Sequence, residues 1–176
     1  ATGDVICILH SDVFVRRDGW LETLLTHMGD DATVVGSQDR LIFPTGPLGR
    51  LRARRKRARL EKVWAAKGVS PKIISHCVLY RRALFEEHGQ RFDHPQHIDG
   101  LYNDCGELIQ RYCEDQGLAV KLLRDQDLSP LLWHFEAATL NVVTQRKVAT
   151  KRRLRAWRFY RRSDVREILA NDALDQ

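Results

Sequence analysis

The sequence lacks several things, and each absence narrows what it can be. Nowhere do its 176 residues approach a run of about eighteen apolar positions, so no transmembrane helix is expected. No secretory leader pattern opens the chain. Its four cysteines, Cys7, Cys77, Cys105 and Cys113, include no C-x-x-C pair, which excludes a zinc ribbon or a thioredoxin-type site and favours reduced cytosolic thiols. Internal repeats and low-complexity linkers are also missing. The only methionine is Met28, and the first residues after Ala1 run straight into an apolar stretch, so the chain is expected to be a piece of a longer one. Acidic residues are the scarcer charge: 29 Lys and Arg against 23 Asp and Glu leave +6, which favours anionic partners. Hydrophobic residues at 43% and charged residues at 30% are a globular balance, and the length suits one domain with a real core.

The order of patterns reads as α/β. Val5-Ile6-Cys7-Ile8-Leu9 is a short continuous apolar run, expected to be a strand buried on both faces. Asp18 is placed to cap a helix with Trp20, Leu21, Leu24, Leu25 and Met28 at helical spacing, ended by Gly29. Residues 32–36 follow as a second strand, and strand–helix–strand is the α/β signature. Further strands are expected over 73–80, 118–123 and 131–133, with helices over 82–88 and 106–116 closed by Gly89 and Gly117. Residues 91–103 read as a polar loop.

Two segments are strongly basic. Between Arg50 and Lys67 nine cations face one acid, Glu61, and Leu48, Leu51, Leu60, Val63 and Trp64 suggest a narrow apolar stripe on a basic helical excursion over 48–68. In a helical tail over 144–176, Leu154, Trp157, Tyr160, Val165 and Leu169 recur among Lys151, Arg152, Arg153, Arg155, Arg158, Arg161 and Arg162. Such helices serve as solvated faces or lie on an anionic surface such as a membrane. Stacking of Trp157, Phe159 and Tyr160 on nucleic acid is the rival reading, although no nucleic-acid motif accompanies it.

The first strand ends in His10-Ser11-Asp12. A carboxylate just past the carboxyl end of a buried strand stands where open α/β sheets place ligands, and by position alone Asp12 could equally cap the following turn. His10 can donate a hydrogen bond to a nucleotide or phosphate, or point into solvent.

Four blocks carry a resemblance. Ala1-Thr2-Gly3-Asp4 through Asp12-Val13, with Asp18-Gly19-Trp20-Leu21 after it, resembles the A-x-G-D strand, acidic DxD signature and G-W-L helix start of family 2 glycosyltransferases. Arg81-Arg82-Ala83-Leu84-Phe85-Glu86 through Gly89, with Arg91-Phe92-Asp93, is similar to that family's RR-x-L-F-E-x-x-G-x-F-D segment. Asn103-Asp104-Cys105-Gly106-Glu107-Leu108 is similar to its ED-x-D-L helix start, and Trp133-His134 to its late v-x-H step. The blocks stand in the family's order over most of residues 1–140. His10 replaces the first acid of the DxD pattern, and Asn103 replaces an acid of the ED pair.

The resemblance implies a GT-A-like, Rossmann-like mixed sheet flanked by helices over residues 1–143, lacking the amino-terminal half that holds the donor's base and ribose. It implies inverting transfer of a sugar from a nucleotide-sugar donor to an acceptor hydroxyl, with Mn²⁺ or Mg²⁺ as cofactor, in cell-envelope polysaccharide or glycolipid synthesis. The acceptor would be a sugar, a lipid-linked group or a protein, and the enzyme would be cytoplasmic or peripheral at the inner membrane face. In this scheme Asp12 holds the ion with His134 as second protein ligand, His10 and Asp12 meet the donor, and Asp104 is preferred over Glu107 as the general base. Exposed sheet edges would favour self-association into a homo-oligomer. The contrasting reading is a non-catalytic basic module for nucleic acid or an anionic membrane surface.

Overall fold

The computed structural model describes residues 3–10, 13–38, 47–67, 71–92, 96–98, 101–103, 105–134, 161–163 and 166. The chain forms two compact units, Ala1–His134 and Phe135–Gln176. In the second, the Arg166 N–H donates to the Arg162 carbonyl at 3.0 Å, a helical bond. Most of the expected basic tail helix lies outside the described residues.

The first unit is a mixed α/β structure. Its elements are β1 (Val5–Leu9), β2 (Val13–Val15), α1 (Trp20–Met28), β3 (Val34–Ser37), α2 (Pro47–Lys67), β4 (Ile74–Arg81) and α3 (Ala83–Glu86). They are followed by β5 (Gln96–Ile98), β6 (Leu101–Asn103), α4 (Cys105–Asp115), β7 (Val120–Leu123), α5 (Asp125–Leu128) and β8 (Leu132–His134). The main sheet has the order β1-β4-β3-β7, with β2 and β8 forming a separate pair. β4 runs antiparallel to both β1 and β3, and β3 runs parallel to β7. The carboxyl ends of β1, β3 and β7 therefore share one edge of the sheet with the amino end of β4.

Alternation along the central strands divides the core. Val35, Cys77 and Leu79 face α1, α5 and β8, joining Leu24, Met28, Leu128 and Leu132. Val34, Val78 and Tyr80 face the other way onto α3 and α4, meeting Leu84, Ile109 and Cys113. Neighbours on a strand point to opposite faces, so Val34-Val35 serves both layers. Gly36 is required by a close approach: a Cβ there would lie 2.5 Å from Ile73 Cδ1 and 2.7 Å from its Cγ1. At the same place the β3–β4 register shifts, with Gly36 opposite Val78 but Ser37 opposite Ile74.

Several local expectations are corrected. β1 is not buried on both faces; its residues are intermediate or exposed, because it is an end strand of the described sheet with a single antiparallel neighbour. Gly19, not Asp18, starts α1: it adopts φ 73°, no side chain caps the helix, and its carbonyl accepts the Thr23 N–H at 3.1 Å. The polar loop over 91–103 contains the β5–β6 hairpin pairing, Gln96 with Asn103 through Ile98 with Leu101. The narrow apolar stripe on α2 is absent among the described side chains. Leu51 and Leu60 are both exposed and stand about two and a half turns apart, on opposite sides of the helix. Among the described residues no helix is long and apolar enough to cross a membrane.

Two free thiols lie deep in these layers. Burial pushes Cys77 from the ordinary 9.0 up to about 12, with nearby Cys7 adding to it, and burial followed by Glu114 pushes Cys113 to about 11. The folded chain therefore keeps protons that the unfolded chain releases once the pH passes about 9. Stability is expected to be unaffected by these thiols below that pH and to fall above it. Urea unfolding across pH 8 to 11, beside a Cys113→Ala variant with a shallower fall, measures this (pH range set about the thiol reference value). A wild-type midpoint flat up to pH 11 would contradict it.

Candidate active site

The shared edge of the sheet gathers the polar groups. At the end of β1, the His10 N–H donates to the His76 carbonyl at 2.9 Å, continuing the β1–β4 ladder beyond the Leu9–Cys77 pair. The Val13 N–H, at the start of β2, donates back to the His10 carbonyl at 3.0 Å. Val13 is in turn the register partner of His134 at the end of β8. Three stretches distant in sequence thus bring His10, His76 and His134 side by side. The His76 and His134 rings stack with centroids 4.5 Å apart and planes 5° from parallel. His10 meets His134 edge-on at 6.4 Å and 67°.

β8 is held there by an aromatic support. Trp133 is 1% exposed, stacks on Phe14 of the paired strand at 6.3 Å, and carries the Arg16 guanidinium 3.8 Å above its ring. Arg16 is itself directed by a bond to the Ser129 carbonyl at 2.7 Å. A buried indole held by these contacts leaves the following residue, His134, little freedom of position.

On the opposite layer, α4 begins beside the lead-in to β4. Lys72 donates to the Glu107 carboxylate at 2.8 Å, and the Glu107 side chain is 17% exposed. One turn on, Gln110 accepts the Ile73 N–H at 2.6 Å and donates to the Pro71 carbonyl at 2.9 Å and to Glu114 at 2.8 Å. The start of α4 is thus fastened to the same edge that carries the histidines.

Of the residues singled out from sequence, the structure brings His10 and His134 together and sets Glu107 against Lys72. Asp12 and Asp104 lie outside the described residues, although Val13, which follows Asp12, is paired with His134, and Cys105, which follows Asp104, opens α4. His76 carries no signal in sequence, because its spacing to other histidines means nothing until β4 is paired with β1. His88 is structural, its Nδ1 3.2 Å from the Tyr112 hydroxyl.

Among the described residues no group of three or more His, Cys, Asp or Glu is placed to hold a metal. Parallel stacked imidazoles direct their nitrogen lone pairs within separate planes, so His76 and His134 are ill placed to converge on one ion. A site of one carboxylate and one imidazole, completed by phosphate oxygens, is a donor set that Mg²⁺ or Mn²⁺ accepts. The Val13–His134 pairing fits that set, since it holds the backbone next to Asp12 against His134.

A mixed sheet with helices on both faces and polar groups gathered at the carboxyl ends of its strands defines a GT-A-like α/β domain. The family model for glycosyl transferase family 2 matches residues 1–89, just over half of the 176, and the chain belongs to that family. No curated protein and no solved structure matches the chain.

Proposed function

We propose that the chain transfers a sugar from a nucleotide-sugar donor to an acceptor hydroxyl with inversion, using a divalent cation. The observation that supports this most is the meeting of three elements at one sheet edge: the start of β2 at Val13, His134 at the end of β8, and the start of α4 at Cys105. Asp12 and His134 would hold Mn²⁺ or Mg²⁺, which supplies positive charge to the departing nucleoside diphosphate. His10, exposed beside His134, donates a hydrogen bond to the diphosphate oxygens.

The chain's own groups carry the proton. Asp104 accepts it from the acceptor hydroxyl as that oxygen forms its bond to the anomeric carbon. The bond from the anomeric carbon to the phosphate oxygen breaks on the opposite side, and its electron pair leaves with the nucleotide. Glu107, bound to Lys72, fastens the amino end of α4 to the lead-in to β4. This assignment favours Asp104 over Glu107 as the base. The acceptor belongs to cell-envelope polysaccharide or glycolipid synthesis in this scheme, at the cytoplasmic side of the membrane.

Thermal unfolding with UDP, GDP or dTDP, each with and without Mn²⁺, tests the proposal. A ligand at one hundred times its dissociation constant stabilises by about 2.7 kcal/mol, a shift of several degrees. The stabilisation is expected to need nucleotide and metal together and to vanish in Asp12→Ala. No response to any nucleotide with metal would sink the proposal.

A further inference from the structure

We propose that a cleft between α2 and the segment following β7 is a second phosphoryl site, separate from the histidine end and suited to the phosphate of a phosphorylated acceptor. The acceptor part of this inference rests on the transferase proposal. The cleft has a volume of about 330 Å³ and is lined by Arg54, Arg57, Ala58 and Glu61 of α2 and by Arg124 and Gln126. Arg54 and Arg57 stand one turn apart on one side of the helix, and Arg124 closes the opposite wall. Ala58 leaves the space between them open, and the Gln126 amide adds a neutral donor.

Among the described residues lining the cleft, the charges do not cancel: three arginines stand with one carboxylate, Glu61, which binds Arg57 at 2.9 Å and is 47% exposed. That bond orients the Arg57 fork, and no ion pair among the described residues engages Arg54 or Arg124. Arginines lining a concavity match the planar, multi-acceptor geometry of phosphate oxygens. The volume is at the low end for ligand pockets, enough for a phosphorylated sugar or a phosphate with the first part of its chain, and too small for a whole nucleotide sugar.

Position separates this site from the donor end. Arg124 directly follows β7, and His10 directly follows β1, on the same edge of a sheet ordered β1-β4-β3-β7. Three strand spacings put the two on the order of 14 Å apart. A diphosphate held beside His10 and His134 does not reach the arginines, so the cleft takes a different phosphate.

Calorimetric titration of the full chain with glucose 1-phosphate and, separately, with geranyl phosphate tests this. Saturable binding is expected, weakened tenfold or more in the Arg54→Gln/Arg124→Gln double variant, with the Mn²⁺–UDP thermal shift unchanged. Glu61→Gln is expected to tighten phosphate binding severalfold, a gain that misfolding cannot imitate. Tighter binding of geranyl phosphate identifies a lipid-type source, and tighter binding of glucose 1-phosphate a free sugar phosphate. The site is overturned if the double variant binds both probes as wild type does. It is overturned equally if binding does not saturate, or if the variant loses the Mn²⁺–UDP shift as well. Arginine-dependent phosphate binding without any nucleotide response would keep the cleft as a phosphate site and refute the transferase proposal instead.

Discussion

Trp133→Ala is expected to destabilise the chain by about 3–5 kcal/mol, the range for removing a buried large aromatic side chain. Three losses combine. The indole is 1% exposed, so its removal opens a cavity in the interior. Its stack on Phe14 disappears, and the Arg16 guanidinium loses the ring 3.8 Å beneath it. β8 pairs with β2 through only three residue pairs, so loosening Trp133 also releases the Val13–His134 register. Urea unfolding measures the first effect as a lower midpoint at unchanged slope. The thermal shift with Mn²⁺ and nucleotide measures the second, which should be lost even where the variant is still folded. Trp133→Phe, which keeps a ring over Phe14, is expected to lose much less. A Trp133→Ala variant within 1 kcal/mol of wild type, on the scale of ordinary surface substitutions, would refute this account of β8 (typical surface values are about ±0.5 kcal/mol).

Gln110→Leu has the next largest expected effect. The glutamine is 4% exposed and satisfies both the Ile73 N–H and the Pro71 carbonyl. Leucine fills similar space but strands two backbone groups, at roughly 1–3 kcal/mol each. Gln110→Glu separates packing from hydrogen bonding. A carboxylate still accepts from Ile73 but loses the donor to Pro71 and meets Glu114, now 2.8 Å from the amide nitrogen. That variant is expected to be weak at neutral pH and to recover on acidification, when a protonated carboxyl regains a donor. Leucine offers no such recovery. Unfolding midpoints of both variants over pH 4 to 8 would show the contrast, and parallel pH profiles would contradict it (the window brackets ordinary carboxyl titration).

Much of the fold was legible because its signals are local. The apolar run at β1, the helical spacing from Trp20 to Met28, and the stops at Gly29, Gly89 and Gly117 each depend on a few neighbouring residues. What was not legible depends on partners. Nothing in Val5–Leu9 announces that its neighbour is an antiparallel strand some seventy residues on, and that pairing makes β1 a half-buried end strand of the described sheet. The same holds for the candidate site. His134 and His10 were visible through the family's motif order, whereas His76 enters only through the Leu9–Cys77 register. On α2, composition was legible and face was not: leucines 51 and 60 suggest a stripe until helical geometry puts them on opposite sides.

The strand order also dictates when the molecule can begin to fold. β4 is the only described strand that touches both β1 and β3, which are not neighbours of each other. Until Arg81 has been made, α1 has been finished since Met28 with its Leu24 and Met28 face lacking the Cys77 and Leu79 it packs on. At ordinary rates of synthesis that interval lasts roughly 3–10 s, far longer than a helix needs to form or a small chain needs to collapse. The cation-rich α2 emerges within that interval. It adds many charges and little apolar surface to the waiting segment, so like-charge repulsion between nascent chains works against their sticking together before β4 arrives.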